Sequence, residues 1–148
     1  LIEMTGAEIA ILRSYAQGLK VGPGCEDSLL PSVRRFAGRF AEATRIHVNV
    51  EAKGDLRIND RLAAEAFQIV AEGLSNVRRH TRAERATVSV VRENGHLILR
   101  IENEGAATDP SAPFIPRSIA ERAVALGGQA RVERREDGGS AVIVEIPL

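Results

Sequence analysis

The run Glu72-Gly73-Leu74-Ser75-Asn76-Val77-Arg78-Arg79-His80 places a carboxylate, a carboxamide, a guanidinium and an imidazole at i, i+4, i+7 and i+8. On a helix that spacing sets Glu72, Asn76, Arg79 and His80 along one stripe. A carboxylate and an amide oxygen one turn apart suit a hard cation such as Mg²⁺, and the basic groups beside them suit phosphate oxygens. Alone, such a pair is more often a solvated helix face than a site. Its meaning depends on the elements that position it and on the loops that complete it.

The stripe lies on a long helix expected from an N-cap at Asn59 to about Thr81, with Leu62, Ala66, Ile69, Val70, Gly73 and Val77 facing inward. Before it, Ile2, Ile9, Leu12, Tyr15, Ala16 and Leu19 recur at roughly helical spacing, and Val21-Gly22-Pro23-Gly24 breaks that helix. A further helix is expected from about Leu30 to Thr44, with Pro31 in its first turn and a stripe of Val33, Phe36, Ala37, Phe40 and Ala43. The alternation of Ile46 to Glu51 indicates a half-buried strand, and Lys53-Gly54-Asp55 a turn.

The remainder reads mainly as β. Ala86–Arg92 and His96–Glu102 are strands joined at Asn94-Gly95, a strong hairpin signal. A loop runs from Asn103 to Ile115. Pro116 opens a helix that stops at Gly127-Gly128, and Ala130–Arg135 and Ala141–Ile146 form a last hairpin across Asp137-Gly138-Gly139. This order predicts an α/β fold, a two-layer sandwich with a mixed, mainly antiparallel sheet and helices on one face.

Composition narrows the function classes. The 148 residues are 44% hydrophobic and 27% charged, ordinary for a globular domain. Twenty basic and twenty acidic side chains cancel, so no net charge recruits nucleic acid or an anionic membrane. No apolar run approaches the ~20 residues that span a bilayer. The single Cys25 excludes an internal disulfide and fits a reducing cytoplasm, and nothing around it argues for a reactive thiolate. With one Cys and only His47, His80 and His96, no Cys/His metal cluster is available. His47 and His96 alternate within strands and are expected to be ordinary exposed residues. A start at Leu1 rather than Met leads us to expect a fragment of a larger protein.

Four stretches, in order and at consistent spacing, carry a resemblance: Glu72–His80, Ile101-Glu102-Asn103-Glu104-Gly105, Ile119–Gly128, and Gly138-Gly139-Ser140 through Leu148. From about Leu29 onward the chain resembles the ATP-binding catalytic domain of sensor histidine kinases. Within them it is most similar to the short-lid class that pairs with helix-turn-helix, LuxR-type response regulators. The resemblance implies a Bergerat-type ATPase fold, shared with gyrase, the heat-shock chaperone ATPase and mismatch-repair ATPases. It places Glu72 on the carboxylate that assists phosphoryl transfer, Asn76 on the Mg²⁺ ligand, and Arg79 and His80 beside the phosphates. It places Asn103 on the adenine-binding position and Gly105 on the first glycine box. The implied cofactor is Mg-ATP. The implied partners are a dimerising phosphoacceptor hairpin, of the same or another kinase, and a response regulator, with a homodimer formed through a missing segment. Neither nucleic acid nor membrane contact is implied for this fragment, and the location is cytoplasmic. Residues 1–22 would be the tail of the dimerisation helix with its linker, and 23–148 the ATPase-type domain. No His precedes His47, so an acceptor would have to lie elsewhere.

The chain departs from the family at the glycine boxes. Asn103 stands where the family has Asp; its oxygen accepts a hydrogen bond without the strength of a charge. Ala107 replaces a glycine, and Pro113-Phe114-Ile115-Pro116 replaces a G-x-G-L segment whose N–H groups would face phosphates. Phe114 or Ile115 could fill the adenine pocket, or the segment could be a surface loop packed on the next helix. Three readings therefore stand open: an active kinase domain; a signalling or docking module with weakened or lost Mg-ATP binding; and an anti-sigma-type Ser kinase relative.

Overall fold

The computed structural model describes residues 29–104, 116–136 and 138–148. The expected helix over 2–19, Cys25, Gly105, Ala107, the Phe114/Ile115 plug and Asp137 lie outside them.

Helix α1 (Leu29–Thr44) buries Leu29, Val33, Phe36, Ala37 and Phe40. Ala43, expected on that stripe, is exposed instead, because it falls one turn beyond the last residue that meets the core. Arg45 ends the helix in the left-handed region (φ 63°) and donates its N–H to Ala41 at 2.8 Å. The edge strand β1 (His47–Lys53) follows.

Helix α2 (Asp60–His80) starts as its sequence dictates, with Asn59 Oδ1 accepting from the Leu62 N–H at 2.8 Å. It buries Ala63, Ala66, Phe67, Ile69, Val70, Gly73, Leu74 and Val77, whereas Leu62 is only partly covered. The Phe36 and Phe67 rings meet edge to face at 5.5 Å and join α1 to α2.

β2 (Arg85–Glu93) and β3 (His96–Asn103) form a hairpin whose turn residues Asn94 and Gly95 both have positive φ (53° and 73°). Helix α3 (Arg117–Ala125) begins after Pro116 and closes on Gly127 (φ 79°), with the Gly128 N–H donating to Ala123 at 2.8 Å. Gly128 is needed for a second reason, since a Cβ there would lie 2.0 Å from the Glu145 carbonyl oxygen. β4 (Gln129–Arg134) and β5 (Ser140–Pro147) complete the sheet.

The sheet order is β1-β2-β3-β5-β4. β1 and β2 run parallel, and the other pairings are antiparallel. The fold is the expected two-layer α/β sandwich. The three helices among the described residues cover the face that presents Val88, Val90, Leu97, Leu99, Ile101, Val144 and Ile146. The opposite face carries Arg100, Glu102, Arg131, Glu133 and Glu145, linked in ion pairs. His47 and His96 are exposed, as expected.

Candidate functional site

The stripe on α2 begins beside a close approach of the helix to the sheet. A Cβ at Gly73 would stand 3.0 Å from Ile101 Cγ1, so the absent side chain lets α2 lie down on β3. The neighbouring Glu72 is partly exposed, and Asn76 lies one turn further along.

Glu72 is engaged from α3. Its Oε2 accepts from the Ser118 hydroxyl at 2.5 Å, and its Oε1 from Arg122 Nε at 3.4 Å. Arg122 also donates through Nη1 to Glu65 Oε2 at 2.9 Å. Burial works against the Arg122 charge, but hydrogen bonds and charge from Glu65 and Glu72 outweigh it, and the guanidinium pKa is raised.

Asn76 Oδ1 accepts from Arg79 Nη2 at 2.8 Å, and Arg79 Nε reaches the Ser75 carbonyl at 3.4 Å. Arg78, Arg79 and His80 form the last turn of α2, where positive charge also complements the helix dipole. Partial burial, and then the Arg79 charge, lower the His80 pKa, so the imidazole favours its neutral form.

Asn103 ends β3 on the helix-facing side, 3% exposed, with Oδ1 accepting from the Ser140 hydroxyl at 3.1 Å. The register pairs Asn103 directly with Ser140. The structure thus sets Glu72, Asn76, Arg79 and His80 on one helix and Asn103 on the sheet beneath that layer. Ser140, Ser118, Arg122 and Glu65 join them without having been singled out from the sequence. Glu65 and Glu72 at i, i+7, with Ser118 and Arg122 at i, i+4, were the available signal.

The donor set fits a hard cation. Mg²⁺ needs one or two protein oxygens and takes the rest from water and phosphates, and Asn76 with Glu72 could supply them. Among the described residues no group of three or more His, Cys, Asp or Glu gathers as a denser metal site. No helix among them is long and apolar enough to cross a membrane.

No protein-family model matches the chain. It is similar to the histidine-protein kinase/phosphatase DegS of Brevibacillus brevis, 25% identical over the whole chain and 40% of that protein. The nitrate/nitrite sensor NarX of Escherichia coli K12 is 25% identical over 82% of the chain and 21% of its own length. The sensor histidine kinase LiaS of Bacillus subtilis is 32% identical over 64% of the chain and 27% of its own length. The chain therefore spans well under half the length of these relatives. The histidine kinase domain of the Erythrobacter litoralis EL346 blue-light activated kinase superposes with a TM-score of 0.65 at 18% identity, over 95% of the chain and 71% of that domain. The nucleotide-free catalytic domain of the histidine kinase ThkA gives 0.58 at 18% identity, over 82% of the chain and 90% of that domain. The fold is that of histidine kinase catalytic domains. In sequence the chain is similar to sensor histidine kinases, over 64% to all of its length.

Proposed function

We propose that this chain is the ATPase-type domain of a two-component sensor histidine kinase whose affinity for Mg-ATP is weakened. The observation that carries this reading is the 2.8 Å hydrogen bond from Arg79 to Asn76 Oδ1. It places a guanidinium charge on the oxygen that a cation would need. Asn103 works in the same direction: its Oδ1 accepts from Ser140 without the charge an Asp would offer to adenine. In this reading Glu72 is the catalytic carboxylate and Asn76 the metal ligand. Arg79, His80, Asn103 and Gly105 contact nucleotide, and Mg²⁺ would neutralise charge on the transferred phosphoryl group. Residues 1–22 belong to the dimerisation helix and 23–148 to this domain, working in the cytoplasm with a phosphoacceptor hairpin and a response regulator. Calorimetric titration of the chain with Mg-ATP is expected to give no saturation below millimolar nucleotide, whereas a micromolar Kd would overturn the reading.

A second reading, full kinase activity on a His of the dimerisation hairpin, draws on the common stripe of Glu72 and Asn76 along α2. Phosphoryl transfer to an added hairpin domain, abolished by Glu72→Gln, is its test.

A further inference from the structure

Both oxygens of Glu72 are held by one helix. Ser118 takes Oε2 and Arg122, one turn later on α3, takes Oε1. The same guanidinium spans two turns of α2 to reach Glu65. These side chains are only partly exposed, Glu72 at 21% and Arg122 at 35%, so solvent screens the pair less than at an open surface. Asn76 lies one turn from Glu72 on the same helix. A carboxylate free to face Asn76 would add an anionic oxygen to a cation held there. Bound to Ser118 and Arg122, it is turned to α3, and its charge is partly offset by a guanidinium it shares with Glu65.

We propose that Ser118 and Arg122 are positioning residues that latch Glu72 to α3 and so keep it from a divalent cation at Asn76. The position of α3 then sets cation affinity. This gives a role to part of the Ile119–Gly128 stretch that the resemblance leaves unassigned. The latch rests on the reading of Asn76 as a cation ligand, and its electrostatic basis is direct. Breaking it removes a positive charge from the neighbourhood of the cation and releases a negative one, both favouring the metal.

The test uses Mn²⁺ alone as the probe on the whole chain, read by paramagnetic broadening of the Glu72 and Asn76 backbone amide signals. Ser118→Ala with Arg122→Gln is expected to bind Mn²⁺ about fivefold more tightly than the parent, the scale of one partly exposed ion pair. Adding Glu72→Gln is expected to cancel the gain, and Arg122→Lys to stay near the parent. Should the double variant fail to fold, Ser118→Ala alone, at an exposed position, is expected to give about a twofold gain. Equal affinity in parent and variant, a gain that survives Glu72→Gln, or no broadening at α2 in any variant overturns the latch. Micromolar Mg-ATP binding by the parent would overturn the weakened-site reading and leave the Mn²⁺ comparison to decide the latch independently.

Discussion

β3 shows two faces of one strand doing different work. Leu97, Leu99, Ile101 and Asn103 point to the helices, while Ile98, Arg100 and Glu102 point away. The inner series is apolar until its last member, and that member is the buried Asn103 bonded to Ser140. The outer series is tied into ion pairs with β4, through Arg100 to Glu133, and within the strand, through Arg100 to Glu102. The same period of two that builds the core thus delivers a polar group to the candidate site. On the outer face the charged side chains pair with one another. Packing and site are coupled on one face and independent of the other.

Breaking the inner series should have the largest effect. Leu99 is fully buried, so Leu99→Ala is expected to cost about 2–5 kcal/mol. Ile98→Ala, on the outer face of the same strand, should cost less than half as much. Urea denaturation of both variants checks the ratio, and equal losses would erase the distinction between the faces.

Gly73→Ala probes the point where the inner face meets the stripe. Its Cβ would press on Ile101 Cγ1 and Cδ1 at 3.0 and 3.1 Å, and Ile101, at 2% exposure, has little room to swing aside. The expected cost is about 1–3 kcal/mol. Ile101→Val in the same chain removes one of the crowded carbons and should recover part of it. Non-additivity in the double-mutant cycle is the measurement.

Much of this face was legible beforehand. Asn59 as a cap, Asn94-Gly95 as a turn and Gly127-Gly128 as a helix stop each follow from local backbone chemistry, and the helix period set Glu72, Asn76, Arg79 and His80 on one stripe. Ala43 is exposed: periodicity says which side a residue faces, not where the neighbouring element ends. Ser140 could not be paired with Asn103 without the β3–β5 register, which joins residues 37 positions apart. Arg122 lay within a recognised stretch, but its reach to Glu65 and Glu72 depends on how α3 crosses α2, a tertiary fact with no local signature.

Acidification should act on the stripe through His80. Its pKa is lowered in the folded chain, first by burial and then by Arg79, so the unfolded chain binds the proton more readily. The stability from this group is present above its ordinary value of 6.5 and declines as pH falls through that value toward the lowered one. His80→Gln should flatten this part of the stability–pH profile, as measured by thermal melts. An unchanged slope would place the titration elsewhere.

The outer face should respond least. Arg131 Nη1 meets Glu145 Oε1 at 2.9 Å, with the two side chains 47% and 32% exposed. The contact holds Arg131 ionised, chiefly through the hydrogen bond to Glu145. At that exposure water and salt screen most of the attraction, so Arg131→Ala is expected to cost about 0.2–1 kcal/mol and to cost less still at high ionic strength. Ile143, at 2% exposure, is the register partner of Arg131 across the β4–β5 pairing. A salt-independent loss above that range would therefore mean that Arg131 acts by packing over Ile143, and that the outer face, too, is part of the core.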